Sequence, residues 1–187
     1  MKINKSDLQK LTLAMENKNL SVAQVIKLVE NSEAIESATN STDSEIKLTV
    51  DYTKTVEQAI TNGHYNFKNS DITAKNFPVS SEMIGKKMEV AVRLFHFNCS
   101  ISSDDASLEM HKAGYRPATL MELLTLGSLF PEIQRQFPII ALGSVWRAAC
   151  LDCYVPYLHV FNSRRRLNLY WFGIDWGAHC RFLGVRK

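Results

Sequence analysis

The chain of 187 residues is 45% hydrophobic and 22% charged, a composition that excludes wholesale disorder and fits one globular domain with a small appendage. Its net charge of +3 is too small to indicate a nucleic-acid or membrane partner by itself, although seven basic and only two acidic residues lie from Ala141 onward. No segment approaches the roughly 20 apolar residues of a membrane span, and charges interrupt the N-terminus where a secretory signal is apolar, so we expect a cytoplasmic protein or one displayed at a surface by another route.

Two short helices are predicted at the start of the chain. Ser6 and Ser21 each stand three residues before a glutamine, the spacing of a capping box, and apolar residues follow at helical intervals. Residues 31–45 are poor in bulky apolar side chains and rich in Ser, Thr, Asn and Glu, which is typical of a linker. We therefore expect residues 1–44 to form a helical segment and linker, serving self-association or attachment, ahead of a domain at 45–187.

Two segments with apolar residues at every second position predict half-buried strands, EIKLTVDYT and KKMEVAVRLFHF. A short helix is predicted between them, over residues 55–61. A second helix is predicted over residues 102–113, with Gly114 as a left-handed stop. A third opens with the capping box of Thr119 and Glu122 and is expected to end at Gly127.

The residue composition changes after Phe137, where short segments of aromatic and β-branched residues are separated by turn residues. Four segments predict the strands of a small antiparallel sheet: FPIIALGSVW, YVPYLHVF, RLNLYWF and CRFLGVRK. Helices followed by such strands indicate the α+β class.

Alternation within RLNLYWF separates its side chains into two sets. The apolar set is expected to face the core and comprises Leu167, Leu169 and Trp171. The opposite set is expected to face solvent and comprises Asn168, Tyr170 and Phe172. Aromatic rings among small polar side chains are the composition of recognition surfaces. The alternative is a sheet buried on both faces.

These segments also carry a resemblance to a known family. GYRPATLMELLTLGSLFPEIQRQFPIIALGSVW, VPYL, LNLYWF, DW and RFLGVRK resemble the variable proteins of diversity-generating retroelements, and the similarity extends over residues 46–187. The resemblance implies a C-type-lectin-like fold with two helices and small antiparallel sheets. It also implies that residues 143–187 hold a hypervariable region, rewritten through adenine-directed mutagenesis, that binds a protein or cell-surface ligand.

The resemblance divides the C-terminal region into framework and contact positions. The implied framework comprises Gly143, Ser144, Val155, Pro156, Leu158, Leu167, Leu169, Trp171, Asp175, Trp176, Arg181, Phe182, Leu183, Val185 and Arg186. The implied ligand contacts are Ala148, Ala149, Cys150, Asp152, Tyr154, His159, Phe161, Asn162, Asn168, Tyr170, Phe172, Ile174, Ala178 and His179.

Catalysis and cofactors are not expected. The sequence has no triad pattern, phosphate-binding glycine loop or paired-carboxylate motif, and the motifs of calcium-binding lectins are missing. Cys150 and Cys153 have the spacing of half a zinc site, but a structural site needs four ligands. His179 and Cys180 could complete one only in space, so we expect no metal.

Nucleic-acid binding is the alternative function. Arg164, Arg165 and Arg166 precede aromatic residues in the sequence, and arginine beside stacking rings is how single strands are held. An ordinary solvated turn also accommodates three arginines. We therefore expect nucleic-acid binding to be the weaker hypothesis.

Overall fold

The computed structural model describes residues 45–187, and the helices predicted near Ser6 and Ser21 lie outside them. The strands are β1 (Ile46–Asp51), β2 (Phe67–Lys68), β3 (Lys87–Phe95), β4 (Ile101–Ser102), β5 (Tyr115–Pro117), β6 (Ile139–Ile140), β7 (Trp146–Arg147), β8 (Cys153–Phe161), β9 (Arg164–Trp171), β10 (Asp175–Trp176) and β11 (Arg181–Arg186). The helices are α1 (Val56–Asn62), α2 (Ser103–Lys112), α3 (Leu120–Leu129) and α4 (Ile133–Gln136).

One large sheet organises the described residues. Its strand order is β1-β3-β11-β6-β8-β9-β2, with β5 added to β11 and β7 added to β8, while β4 and β10 form a separate pair. The pairs β6–β11 and β2–β9 are parallel and the others antiparallel. The expectation of small antiparallel sheets is therefore wrong for the main sheet, because β11 joins the C-terminal strands to β3 and β1 in a single nine-stranded sheet.

The segment FPIIALGSVW does not form one strand as predicted. Only two short pieces of it pair with β8, namely β6 and β7. Between them Gly143 donates a hydrogen bond from its N–H to the carbonyl of Ala118 (2.9 Å). A Cβ at Gly143 would lie 2.5 Å from the carbonyl oxygen of Pro117, so the chain leaves the sheet here in close contact with the segment before α3.

The first core lies between one sheet face and the helices α1, α3 and α4. Ile46, Leu48 and Val50 are buried as the alternation in β1 predicts. Helix α1 begins at Thr55, whose hydroxyl accepts from the N–H of Gln58 (3.2 Å) while the Gln58 side chain accepts from the N–H of Thr55 (2.9 Å). The predicted strand and the predicted helix are both confirmed.

Helix α3 begins at the predicted capping box, where the Glu122 carboxylate accepts from the N–H of Thr119 (2.7 Å). It does not end at Gly127, because it continues to Leu129. A Cβ at Gly127 would lie 2.3 Å from the Tyr65 hydroxyl and 2.7 Å from Cδ1 of Leu158. This glycine lets the helix approach the sheet closely, so the prediction that it is a helix stop is wrong.

The second core lies on the opposite face of the same sheet. Phe182 and Leu183 are consecutive residues of β11, and they belong to the second and the first core respectively. Helix α2 covers the second core with Ala106 and Met110, and it ends before Gly114, which has the predicted positive φ of 85°. The alternative of a sheet buried on both faces therefore holds for the central strands.

A candidate ligand-binding surface

The β8–β9 hairpin carries six of the fourteen predicted contact positions, namely Tyr154, His159, Phe161, Asn162, Asn168 and Tyr170. Its register pairs Leu158 with Leu167, and both side chains are fully buried in the first core. The next pair toward the turn places His159 opposite Arg166 on the other face. Successive pairs thus alternate between an inner face, directed at the first core, and an outer face.

Arg165 belongs to the inner face and is buried, with 7% of its surface exposed. Its guanidinium donates to the carbonyls of Gly63 (2.7 Å) and Gly127 (2.5 Å) and to the side-chain oxygen of Gln134 (3.0 Å). It also stacks 4.9 Å from the centre of the Tyr65 ring. Burial lowers the pKa of Arg165, and these neutral acceptors compensate the charge inside the protein.

The three consecutive arginines therefore do not form one basic surface. Arg164 is exposed, Arg165 joins α1, α3 and α4 to β9, and Arg166 lies between two rings. The Arg166 guanidinium is 4.8 Å from the Phe67 ring and 5.0 Å from the Phe161 ring. The interpretation of Arg164–Arg166 as a single nucleic-acid contact is wrong for Arg165, because the strand alternation directs it inward.

Aromatic rings contact one another along the outer face. Tyr157 stacks on His159 with ring centres 4.6 Å apart and meets Tyr170 edge to face at 5.7 Å. Burial, followed by the charge of Arg166, lowers the pKa of His159, which favours the neutral imidazole. The Asn168 side chain accepts a hydrogen bond from Asn69 Nδ2 (3.0 Å). Asn168 is therefore half-buried rather than free, although it lies on the predicted face.

The end of the outer face merges with the second core. Phe172 is half-buried against this core rather than solvent-exposed as predicted. The Ser103 hydroxyl donates to the Phe172 carbonyl (2.6 Å) and accepts from the Trp176 indole N–H (2.8 Å). A cavity of about 160 Å³ opens beside these residues. It is lined by Pro138, Tyr157, Tyr170, Ile174, Asp175, Trp176, Gly177, His179 and Cys180.

The inner face also presents an aromatic row where the helices no longer cover it. Trp146, Tyr154 and Trp171 occupy paired positions on β7, β8 and β9, and the Trp146 and Tyr154 rings are 5.8 Å apart. Trp171 is 49% exposed, so the prediction that it faces the core is wrong. The strand alternation is regular, but the core ends before this residue.

All fourteen predicted contact positions are described by the structure, and none of them is buried. They occupy two regions rather than one continuous patch. The outer face and the following loop hold His159, Phe161, Asn162, Asn168, Tyr170, Phe172, Ile174, Ala178 and His179. The β7–β8 segment holds Ala148, Ala149, Cys150, Asp152 and Tyr154.

The framework positions that the resemblance implies are mostly buried or partly buried. The buried ones are Val155, Pro156, Leu158, Leu167, Trp176, Phe182, Leu183 and Val185. The partly buried ones are Ser144, Leu169 and Arg181. The exposed ones are Gly143, Trp171, Asp175 and Arg186. Tyr157 was not among the predicted contact positions. It lies on the same face as Tyr170, and the alternation along the two strands could have indicated this.

The cysteines are free, and only Cys180 among them is buried. Burial raises the pKa of the Cys180 thiol, and its sulfur lies 3.9 Å from Nε2 of His179. Within residues 45–187, no cluster of three or more His, Cys, Asp or Glu side chains could hold a metal ion.

A larger cavity of about 450 Å³ lies beside the start of α3. Its wall contains the ion pair of Arg116 and the fully buried Glu122 (2.5 Å), and Glu122 also accepts from the Tyr52 hydroxyl (3.3 Å). Burial, followed by the charge of Glu122, raises the pKa of Tyr52 to about 12. These polar groups bind one another, so we assign them to the stability of the fold.

The fold and surface define a mixed α+β protein with an aromatic hairpin face. No helix among residues 45–187 is long and apolar enough to cross a membrane. No family model, curated protein or solved structure matches the chain.

Proposed function

We propose that this protein binds other molecules without catalysis, through a surface at residues 143–187 that a retroelement diversifies by adenine-directed mutagenesis. The proposal includes a C-type-lectin-like fold for residues 45–187 and a protein or cell-surface ligand. Its basis is the sequence resemblance together with the arrangement of the hairpin.

The separation of accessible and buried positions on one hairpin carries the proposal. Phe161 and Tyr170 are 55% and 42% exposed, whereas Leu158 and Leu167 are fully buried on the opposite face. Substitutions at exposed positions away from special contacts usually change stability by about 0.5 kcal/mol or less. A surface of this kind can change its side chains while the core that fixes the backbone stays constant.

Natural variation in the gene tests the proposal directly. Sequencing many natural copies should show substitutions concentrated at the fourteen contact positions, with a near-copy of the final coding segment differing only at adenines beside a reverse-transcriptase gene. Variation spread evenly over contact and framework codons would contradict the proposal.

Two matched libraries provide a protein-level test. One randomises Phe161, Asn168 and Tyr170 on the outer face, and the other randomises Leu158, Leu167 and Leu183 in the core. We expect most members of the first library and few of the second to unfold cooperatively on heating. Equal tolerance in both would count against a separation of framework from contacts.

A further inference from the structure

Three aromatic side chains line the 160 Å³ cavity at the end of the outer face. Tyr157 and Tyr170 are nearly perpendicular, with an interplanar angle of 89° and ring centres 5.7 Å apart. Tyr170 and Trp176 are inclined by 49° with centres 5.5 Å apart. All three line the cavity, so a small group inside it contacts rings from different directions.

Contacts behind the rings hold this arrangement in place. The indole N–H of Trp176 donates to the Ser103 hydroxyl (2.8 Å), and its ring meets Phe182 edge to face at 6.1 Å. Tyr157 also stacks on His159, with ring centres 4.6 Å apart. Because the indole N–H is already used, Trp176 offers the cavity no donor for an anion. Rings fixed before binding lose little entropy when a ligand enters.

Charged groups of both signs lie around the cavity, and its aromatic lining favours a cation. Asp175 lines it and provides a carboxylate. Two guanidinium groups also lie nearby. Arg166 stacks between Phe67 and Phe161, and Arg181 lies over Phe137 at 4.5 Å and donates to the carbonyls of His179 and Cys180 (3.2 Å each). Trp and Tyr faces attract cations through their ring quadrupoles, and aromatic cages for quaternary ammonium groups use this attraction.

We infer that the cavity of Tyr157, Tyr170, Trp176 and Asp175 binds a quaternary ammonium group of the ligand. Pockets for drug-sized ligands measure about 300–1,000 Å³, so a volume of about 160 Å³ suits one methylated ammonium head rather than a whole ligand. The inference rests on the proposed binding function of this surface and specifies the chemistry that it recognises.

Titration with choline chloride tests the inference, using tryptophan fluorescence and calorimetry on the full chain. The control ligand is the neutral isostere of choline, in which carbon replaces the ammonium nitrogen. Because shape and apolar area are the same, only the cation–ring attraction and Asp175 distinguish the two ligands. We expect choline to bind about tenfold more tightly. Equal binding of both, or saturable binding of neither, would overturn the inference.

Variants locate the site. Tyr170→Leu should weaken choline binding about tenfold, Tyr170→Phe should retain it, and Asp175→Asn should weaken it severalfold. Trp171→Leu is the matched control, because Trp171 is similarly exposed but lies on the opposite face. Unchanged binding in a folded Tyr170→Leu variant would refute the cage. That result would leave the sequencing test of the proposed function unaffected.

Discussion

The Arg165 guanidinium donates a hydrogen bond to the Gly127 carbonyl, and this contact joins the hairpin to helix α3 from the inside. The same guanidinium holds the carbonyl of Gly63 at the end of α1 and the side chain of Gln134 in α4. One side chain thus connects β9 to all the helices of the first core.

Replacing Arg165 should therefore destabilise the fold strongly. Arg165→Met leaves two buried carbonyls and an amide oxygen without a donor, and each unsatisfied group costs about 1–3 kcal/mol. We expect the free energy of unfolding in urea to fall by about 3 kcal/mol or more. The matched variant Arg164→Met removes an exposed guanidinium and should change it by about 0.5 kcal/mol or less. Similar losses in both would contradict the structural role of Arg165.

Gly127 should not tolerate a side chain. Gly127→Ala places a methyl group against the Tyr65 hydroxyl and Leu158, and overpacking of this kind costs about 1–3 kcal/mol. The Tyr65 hydroxyl is buried without a hydrogen-bond partner within residues 45–187, so Tyr65→Phe removes the nearest obstacle at little cost. The double variant should lose less stability than the two single losses together, as measured by thermal and urea unfolding. Simple additivity would show that the close approach at Gly127 does not matter.

Alkaline pH should lower the stability of the protein because it ionises the buried Tyr52. An unfolded phenol has a pKa of about 10, and the folded value is raised to about 12. The protonated Tyr52 therefore contributes stability that is complete below pH about 10 and is lost as the pH rises toward about 12.

Tyr52→Phe should reduce this pH dependence by about 1.4 kcal/mol per pH unit within that window. Urea unfolding at a series of alkaline pH values measures the slope. If the slope in Tyr52→Phe equals that of the unmodified protein, buried Tyr52 is not responsible for the alkaline loss of stability.

The two tryptophans of the final strands should differ sharply in their effect on stability. Trp176 is 5% exposed and packs in the second core, so Trp176→Ala should cost about 3–5 kcal/mol. Trp171 covers Gly173 at the surface, and Trp171→Ala should cost about 1 kcal/mol or less. Calorimetric unfolding measures the loss of stability in each variant. A large loss for Trp171→Ala would show that Trp171 packs as a core residue, as the strand alternation predicted.

Local patterns predicted the elements that depend on neighbouring residues. The alternation of Ile46, Leu48 and Val50 identified β1, and the capping box at Thr119 located the start of α3. Each of these signals links residues only a few positions apart, so it can be recognised in a single sequence.

Long-range packing decided the positions that could not be predicted. Trp171 follows the alternation of β9, yet no core extends far enough to cover it. Gly127 resembled a helix stop, but its neighbours Tyr65 and Leu158 come from distant segments. The inward direction of Arg165 could have been predicted, because the strand alternation places it on the same face as Leu167. An arginine is expected to face solvent, however, and its acceptors on α1, α3 and α4 could not be predicted from the sequence.

The pairing of β8 with β9 also limits which kinds of mutation the hairpin can accept. Its inner and outer side chains alternate strictly, with Leu167 inside and Asn168 outside. Inserting or deleting a single residue would reverse this order for the rest of the strand, exposing Leu167 and turning Tyr170 to the inner face. The hairpin can therefore accept substitutions of its outer side chains but hardly any change in its length. Mutagenesis that exchanges bases without shifting the reading frame produces changes of the first kind.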